Sequence, residues 1–415
     1  MSEIKDSSLA EQGKNNLKLA ESQMPGLMKI RERFAREKPL EGQRIGMALH
    51  VTKETGVLVR TLIAGGATVA IASCNPLSTQ DDVAAALAEE GVEVYAKKGE
   101  TNEEYYDYIN KVLDMKPTIT IDDGMDLVTI IHTKRPDLLE NVIGGAEETT
   151  TGIIRLKAMH KQGELKMPII NINDQDTKHL LDNYYGTGQS TMDGVIRATN
   201  VLIAGKNFVV SGYGDCGKGL AMRAKGMGAN VIVAEVSPFR ALQAHFDGFR
   251  VMPIAESAKI GDIFVTVTGD KHVINLDNMK SMKNGAIVAN SGHFHNEFDL
   301  DGLKGAASSS KRIRPFMDEY LLDGKRIYVL GEGRLINLAA AEGHPSEVMN
   351  FSFCNQSLAM EYIAKNFKGK EPGVYSLPKE LDDDVARLYL DSVGIKFDTL
   401  TEEQKKYLSS WREGT

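Results

Sequence analysis

The chain is poor in cysteine, proline and tryptophan and has no long apolar run. Its 415 residues include three cysteines, 12 prolines and one tryptophan. Cys74, Cys216 and Cys354 are widely spaced, which excludes a disulfide framework and a zinc site built on C-x-x-C pairs. No apolar run approaches the roughly 20 residues of a membrane-spanning helix, and the polar N-terminus has no signal-peptide core. We expect a soluble cytoplasmic protein without a membrane partner.

The charge balance excludes nucleic acid as a main partner. The formal net charge is −8, whereas phosphate backbones require a basic face. The basic run Lys311–Arg314 is too short to reverse this, so we expect it to lie on a solvated face. A chain of this length can form two or three domains, each with its own core.

A glycine-rich segment is the most informative motif. Asn207–Gly219 reads as an apolar strand, a tight turn and the start of a helix, and Gly212, Gly214 and Gly217 match G-x-G-x-x-G. Such a turn lets a pyrophosphate approach the backbone at the N-terminus of a helix. The motif predicts a dinucleotide site, although chance glycines in an ordinary strand–turn–helix are the alternative.

The following strand favours the dinucleotide interpretation. Asn230–Glu235 is apolar and ends in an acid 23 residues after Gly212. A carboxylate at this point accepts hydrogen bonds from the adenosine ribose and repels a 2′-phosphate. The sequence therefore predicts NAD rather than NADP.

Alternating strand-like and helical runs predict an α/β fold. We expect two doubly wound Rossmann-like domains with parallel sheets and a short helical C-terminal tail. The predicted division is 1–184 for the first domain, 185–343 for the NAD-binding domain, 344–375 for a segment that returns to the first domain, and 376–415 for the tail.

Ionisable side chains close several of the predicted strands, and ligands of open α/β sheets bind at such ends. These residues are His50, Asp123, Glu148, Lys178, Asp182 and His293. Singly, each could be a helix cap or a structural group, and Lys178 with Asp182 could be a surface ion pair worth at most about 0.5 kcal/mol. Together, beside an NAD site, they suit proton transfer coupled to hydride transfer. The sequence shows no H-E-x-x-H and no clustered histidines, so we predict no metal.

Ordered stretches over nearly the whole chain match one known family. They are Ala20–Pro25, Ile30–Arg33, Leu49–Thr55, Ser73–Gln80, Asp122–Gly124, Glu147–Gly152, Asn173–Asp174, Thr177–Lys178, Asp182–Asn183, Gly212–Asp215, Gly292–Phe294, Glu332–Leu335 and Gly343–Pro345. In these stretches the chain resembles the adenosylhomocysteinase family. The resemblance implies reversible hydrolysis of S-adenosyl-L-homocysteine to adenosine and homocysteine, a reaction of the methyl cycle. Tightly bound NAD transiently oxidises the ribose 3′-hydroxyl, which permits β-elimination, water addition and re-reduction.

The resemblance also implies residue roles. Lys178 is the implied base at the 3′-hydroxyl, with a pKa lowered by burial or nearby positive charge. Asp182 and Glu148 contact the ribose hydroxyls, and Asn183 lies near the nicotinamide. Asp123 acts at the C4′ proton, while His50 and His293 handle protons of the leaving thiolate and the attacking water. The implied substrate-binding set is Thr52, Glu54, Asp123, Glu148, Lys178, Asp182 and His344.

The implied NAD contacts extend the glycine motif. They are Thr149, Thr150, Thr151, Asn183, Gly212, Gly214, Asp215, Cys216, Gly217, Lys218, Gly219, Glu235, Arg240, Ser291, Gly292, His293, Asn337 and His344. A homotetramer is also implied. Many members have a C-terminal tail that reaches a neighbouring subunit's NAD, whereas this chain ends at Trp411–Thr415 like short archaeal members. Lys405, Lys406 and Tyr407 are the only candidates for an equivalent contact.

The residues leave the purine and the reaction class open to alternatives. Glu54 can accept a hydrogen bond from adenine N6 or from hypoxanthine N1–H, so an S-inosylhomocysteine substrate is the alternative to the favoured adenosyl one. A simple NAD-dependent hydroxy-acid dehydrogenase and a non-catalytic NAD or nucleoside sensor are more remote alternatives. The dehydrogenase predicts net release of NADH on turnover.

Overall fold

The computed structural model describes residues 2–412, which form one parallel and one largely parallel sheet, both flanked by helices. The predicted α/β fold with two doubly wound Rossmann-like units is confirmed. Among the described residues, no helix combines the length and apolar character needed to cross a membrane. The predicted tail extends to residue 415, and 413–415 lie outside the described part of the chain.

The first sheet has seven parallel strands in the order β15-β6-β5-β4-β1-β2-β3. The strands are β1 Arg44–Ala48, β2 Thr68–Ala72, β3 Glu93–Tyr95, β4 Ile119–Asp122, β5 Gly144–Glu147 and β6 Pro168–Asn171, with β15 Gly373–Ser376 at the edge. The sequence did not predict β15, a four-residue strand that pairs with β6 from about 200 positions further along the chain.

The second sheet has the order β12-β13-β14-β11-β10-β7-β8-β9. Its strands are β7 Asn207–Ser211, β8 Asn230–Ala234, β9 Arg250–Val251, β10 Ile263–Thr266, β11 Ala286–Asn290, β12 Ser309–Arg314, β13 Met317–Leu322 and β14 Lys325–Leu330. The antiparallel β12 and β13 were not predicted. Every residue of β12 is exposed, which confirms the solvated face expected for Lys311–Arg314.

Helices cover both faces of each sheet. They are α1 Ala10–Gln23, α2 Pro25–Glu37, α3 Lys53–Ala64, α4 Asp81–Glu89, α5 Asn102–Asp114, α6 Asp126–Thr133, α7 Thr150–Lys161, α8 Asp176–Lys178, α9 Thr187–Thr199, α10 Asp215–Gly226, α11 Pro238–Phe246, α12 Ile254–Ser257, α13 Leu276–Ser281, α14 Leu300–Ala306, α15 Ile336–Ala339, α16 Ser346–Asn366, α17 Lys379–Ser392 and α18 Glu402–Leu408. A π-helical segment, His179–Gly186, joins α8 to α9, and three short 3₁₀ turns occur at Ser7–Leu9, Pro136–Leu138 and Gly331–Gly333. The first sheet buries one face against α3, α4 and α16 and the other against α5, α6 and α7.

The strand order places a switch point in each sheet. In the first sheet, the chain leaves β1 toward β2 on one side, while β4 lies on the other side. In the second sheet, β7 has β8 on one side and β10 on the other. Helices diverge to opposite faces at such a point and open a crevice at the carboxyl ends of the strands. The fold therefore positions one binding crevice beside His50 and Asp123 and another beside Gly212.

Glu100 is a buried carboxyl group near the end of β3, and it makes stability depend on pH. One of its oxygens accepts from the Lys97 backbone N–H, whereas the other has no hydrogen-bond partner among the described residues. Burial raises the pKa of Glu100 from 4.5 to about 8. Between these values the folded chain holds a proton that the unfolded chain releases, so this group lowers stability as pH rises through the window.

We therefore expect Glu100→Gln to stabilise the protein at high pH. Relative to the original chain, the free energy of unfolding should be unchanged below about pH 4.5 and higher by about 1–3 kcal/mol above about pH 8. Urea unfolding at both pH values measures it. Glu103→Gln, at an exposed position three residues further along the chain, is the control and should leave the pH dependence unchanged. An equal effect of the two substitutions would contradict the assignment.

Candidate active site

One large cavity lies at the carboxyl ends of both sheets. It measures about 1090 Å³ and receives side chains from both halves of the molecule. The predicted residues that line it are His50, Thr52, Glu54, Asp123, Glu148, Thr149, Thr150, Thr151, Lys178, Asp182, Asn183, Gly212, Gly214, Asp215, Cys216, Glu235, Arg240, Ser291, Gly292, His293, Asn337 and His344. The predicted substrate and dinucleotide residues thus share a single space.

Three predicted cofactor residues do not line this cavity: Gly217, Lys218 and Gly219. They lie in the first turns of α10. A Cβ on Gly217 would overlap the carbonyl oxygen of Gly212, and a Cβ on Gly219 would overlap the carbonyl oxygen of Tyr184. These two glycines therefore allow close packing of α10 rather than contact with a ligand.

Lys178 lies at the centre of a buried charged cluster. Its Nζ is 3.2 Å from Asp182 Oδ2 and 3.4 Å from Glu148 Oε1, and it donates to Asn183 Oδ1 at 2.8 Å. The π-helical winding after α8 brings the fourth and fifth residues after Lys178 onto the same side. The alternative of a surface ion pair for Lys178 and Asp182 is wrong, because both side chains are buried.

The electrostatics of Lys178 differ from the expectation. Burial opposes its charge, but the carboxylates of Asp182 and Glu148 outweigh burial and hold the pKa of Lys178 above its ordinary value. The expected lowering of this pKa is wrong in this structure. Burial raises the pKa of Glu148 to about 7, although Lys178 opposes the rise. Lys178 therefore begins as an ammonium group, and Glu148 is an adjacent group able to exchange a proton near neutral pH.

Asp182 connects this cluster to the second half of the molecule. It accepts hydrogen bonds from Ser352 Oγ at 2.7 Å and from His344 Nδ1. Burial opposes ionisation, but Lys178 and His344 outweigh it and hold the pKa of Asp182 below its ordinary value. The carboxylate of Asp182 therefore positions both Lys178 and His344. The other ring nitrogen of His344 lies 3.2 Å from Thr187 Oγ1.

A second cluster forms across the β1/β4 switch point. Asp123 lies between two histidines, with Oδ2 3.5 Å from His50 Nε2 and Oδ1 3.6 Å from His293 Nδ1. Burial lowers the pKa of His50 to about 4, although Asp123 opposes the shift. At neutral pH His50 is therefore a neutral imidazole that can accept a proton. Gly124, at φ +106°, gives His293 the room to approach.

The third group of polar residues lies at the start of α3. Thr52 is the N-cap, and Glu54, in the first turn of the helix, is almost completely buried in the cavity wall. Glu54 Oε1 accepts from Ser346 Oγ at 2.7 Å and lies 3.4 Å from Lys53 Nζ. These partners orient the carboxylate as a hydrogen-bond acceptor toward the cavity.

The residues of the second sheet fit a dinucleotide. Gly212 has φ +107°, a conformation that favours glycine, and Gly214 leaves open space in which the nearest atom to an added Cβ is Arg240 at 3.8 Å. The helix that follows, α10, directs its N-terminus into the cavity. Glu235 accepts from the Tyr213 backbone N–H at 2.7 Å, which places the carboxylate beside the loop.

A buried amide, that of Asn337, lies at the other end of the cavity wall that begins at Gly212 and Glu235, which we call the dinucleotide cradle. Asn337 lines the cavity and donates to Ser190 Oγ, but its Oδ1 has no hydrogen-bond partner among the described residues. A buried acceptor without a partner is costly, and a carboxamide N–H such as that of nicotinamide would satisfy it. The chain can therefore hold NAD from Glu235 to Asn337.

Sequence reasoning missed the contribution of helix α16, whose residues donate to three carboxylates. Ser346 donates to Glu54, Ser352 to Asp182, and Gln356 Nε2 to Glu148 Oε2 at 2.6 Å. The available signal was the polar-rich stretch Asn350–Ser357, which is buried although amphipathic helices expose their polar face.

The sequence also shows no cluster of metal ligands, but the fold creates one. His50, Cys74 and Asp123 present ligand atoms within 4.8 Å of one another. These residues are far apart in the chain and meet only because β1, β2 and β4 are neighbours. The absence of a resident metal stays a prediction.

The fold and the site define an NAD-binding enzyme in which one Rossmann-like unit faces a second unit that carries acid–base groups. The model of the family described as "S-adenosyl-L-homocysteine hydrolase, NAD binding domain" matches residues 183–343, and that of "S-adenosyl-L-homocysteine hydrolase" matches residues 1–137. The chain belongs to the S-adenosyl-L-homocysteine hydrolase family. These matches confirm the predicted family and the predicted NAD-binding domain.

Individual relatives match over their full length. The chain is 59% identical over 415 residues to "S-inosyl-L-homocysteine hydrolase" of Methanocaldococcus jannaschii, with 100% of both chains covered. It is 58% identical over 415 residues to "Adenosylhomocysteinase" of Aquifex aeolicus, covering 100% of this chain and 99% of the other. It is also 58% identical over 414 residues to "Adenosylhomocysteinase" of Saccharolobus solfataricus, with 99% of both covered. Relatives named S-inosyl-L-homocysteine hydrolase and relatives named adenosylhomocysteinase are thus similar to this chain to the same degree.

Proposed function

We propose that this enzyme hydrolyses S-adenosyl-L-homocysteine reversibly to adenosine and L-homocysteine with NAD that stays bound throughout. The observation that carries the proposal is the placement of the Lys178–Glu148–Asp182 cluster in the same cavity as the dinucleotide cradle. Relatives named adenosylhomocysteinase support it. A hydroxy-acid dehydrogenase would need no second acid–base cluster at Asp123.

NAD, when bound, supplies reversible hydride transfer at the ribose 3′-carbon. Lys178, Glu148 and Asp182 bind the ribose hydroxyls, and the Lys178–Glu148 pair receives the 3′-hydroxyl proton. Because Lys178 begins as an ammonium group, Glu148 must accept a proton before or as the hydroxyl gives up its own. Asn183 accepts from Lys178 Nζ and fixes its direction.

The Asp123 cluster carries the elimination and the addition of water. A 3′-ketone acidifies the C4′ proton, which Asp123 accepts, and homocysteine then leaves from C5′ as a thiolate that takes this proton by way of His50. Neutral His50 takes the proton of the attacking water, and His293, on the other side of Asp123, supports the transfer. As hydroxide adds at C5′, the proton taken from water returns through Asp123 to C4′. The cycle closes when the ketone is reduced and both products leave.

The two candidate substrates differ in their purine base. Glu54, oriented by Ser346 and Lys53, accepts a hydrogen bond from adenine N6 or from hypoxanthine N1–H. We favour the adenosyl substrate, and S-inosyl-L-homocysteine is the second candidate because relatives with that name are as similar as the others.

Purified NAD-loaded protein should be assayed with S-adenosyl- and S-inosyl-L-homocysteine in parallel, following free thiol. We expect thiol release from the adenosyl substrate at the higher kcat/KM, without accumulation of free NADH. A higher kcat/KM with the inosyl substrate would identify S-inosyl-L-homocysteine, rather than S-adenosyl-L-homocysteine, as the substrate. Absence of thiol from both substrates, with NAD shown to be bound, would reject the proposed function.

We also propose the domain division, assembly and location. The proposed domains are 1–184 for substrate, 185–343 for NAD, 344–375 for the return segment and 376–415 for the tail, with closure about hinges near Tyr184 and His344. The enzyme is proposed to be a cytoplasmic homotetramer that binds neither nucleic acid nor membrane. Analytical ultracentrifugation tests the assembly, and a stable monomer would contradict it.

A further inference from the structure

Cys74, buried beside the Asp123 cluster, has no assigned role in the proposed reaction. It follows β2, and its Sγ lies 3.2 Å from His50 Nδ1 and 3.8 Å from Asp123 Oδ2. His50 Nε2 lies 3.5 Å from the same carboxylate oxygen. The three side chains come from three neighbouring strands, β1, β2 and β4, so the sheet holds them together.

The spacing and chemistry of these donors suit a thiophilic metal ion. Tetrahedral zinc has Zn–S bonds of about 2.3 Å and Zn–N bonds of about 2.0–2.1 Å, which separates ligand atoms by about 3.5 Å. One ligand atom from each of the three residues lies within 4.8 Å of the other two, so side-chain movements of about 1 Å bring the set to that geometry. Thiolate, imidazole and a single carboxylate oxygen are also ligands that zinc accepts.

The surroundings of the cluster support metal binding. Ser78 Oγ lies 2.8 Å from His50 Nδ1, which leaves Nε2 on the side of Asp123. A hydrogen bond to the second nitrogen of a ligating imidazole fixes the ring orientation. Asp123 directs its other oxygen toward His293, so it can offer one oxygen to the metal.

We propose that His50, Cys74 and Asp123 form a binding site for Zn²⁺ or Cd²⁺ that inhibits the enzyme. Binding breaks the Cys74 S–H bond, forms the metal–sulfur bond and releases the proton to solvent, with no change of oxidation state. The metal occupies the two groups that the proposed reaction needs for proton transfer, so metal binding and turnover exclude each other. The site itself rests on geometry and holds whether or not the proposed function is correct.

The test uses Co²⁺ as a spectroscopic probe of the NAD-loaded enzyme, without substrate. We expect a sulfur-to-cobalt charge-transfer band that Zn²⁺ removes by displacement, and that Cys74→Ser lacks. Zn²⁺ affinity, from calorimetry, should fall at least about 10-fold in Cys74→Ser, since loss of an outer-shell partner alone costs about 10- to 100-fold. Cys354→Ser is the matched control, because Cys354 is buried in the first-sheet core.

The original chain provides a measurement that needs no variant. Calorimetry in two buffers of different ionisation enthalpy should show release of about one proton per bound Zn²⁺. Zinc binding without proton release, absence of the cobalt band, or an equal loss of affinity in Cys354→Ser would overturn the proposal. The cobalt band does not depend on turnover, so this failure is distinct from a failure of the proposed hydrolysis.

Discussion

Lys178→Ala should lower kcat by about 10²- to 10⁴-fold, the usual contribution of a positioned acid–base group. The substitution removes the group that lies 3.2 Å from Asp182 and 3.4 Å from Glu148. It also leaves these two carboxylates buried without a cation, which costs about 3–5 kcal/mol of stability. Steady-state thiol release measures the first effect, and denaturant unfolding measures the second.

The control for this prediction is another lysine in an i,i+4 pair. Lys365 lies 2.6 Å from Glu361, but its side chain is 60% exposed. Lys365→Ala should keep full activity and lose at most about 0.5 kcal/mol of stability. NAD content and circular dichroism of both variants separate a catalytic defect from unfolding. Ordinary kcat in folded, NAD-loaded Lys178→Ala would remove Lys178 from the proposed mechanism.

Gly217→Ala should weaken NAD binding by about 10- to 100-fold. The added Cβ would overlap the Gly212 carbonyl oxygen and lie 2.8 Å from its carbonyl carbon. Since both are backbone atoms, the clash must be relieved by moving the loop away from α10. Overpacking of this kind costs about 1–3 kcal/mol, and a tenfold change in affinity corresponds to about 1.4 kcal/mol. Calorimetric titration of the NAD-depleted protein measures the change.

The same helix provides a matched control. Gly226 ends α10, and a Cβ added there meets nothing within 4 Å. Gly226→Ala should leave NAD affinity unchanged and gain about 0.5–1 kcal/mol of stability from helix propensity. Equal NAD affinity of the two variants would show that the loop tolerates displacement and would remove the role given to Gly217.

The parts of the site that follow from local patterns were predictable from sequence. Gly212, Gly214 and Glu235 lie at fixed distances along one βαβ unit, so their spacing carries their meaning. His50 and Asp123 were predictable for a different reason, because the carboxyl ends of parallel strands share one edge of a sheet. Edge strand β15 has neither a motif spacing nor a polar strand end to indicate it, because it is only four residues long and pairs with a strand distant in sequence.

Other features depend on contacts between residues that are far apart in the chain. Ser346 donates to Glu54 across 292 positions, and Gln356 donates to Glu148 across 208. No periodicity within α16 indicates which carboxylate each donor meets. The pKa of Lys178 was mispredicted for a related reason. Asp182 is four residues away and could be paired with Lys178 from sequence, but the burial of both side chains and the approach of Glu148 to 3.4 Å come from the fold.

The central proposal is that NAD oxidises and re-reduces the same substrate molecule, and an isotope label at C3′ tests it most directly. S-adenosyl-L-homocysteine deuterated at C3′ should give adenosine that retains the deuterium, while the hydrogen at C4′ exchanges with solvent. Mass spectrometry of the product reads both positions in one sample. Deuterium transferred to free NADH, or thiol release with no exchange at C4′, would contradict the account.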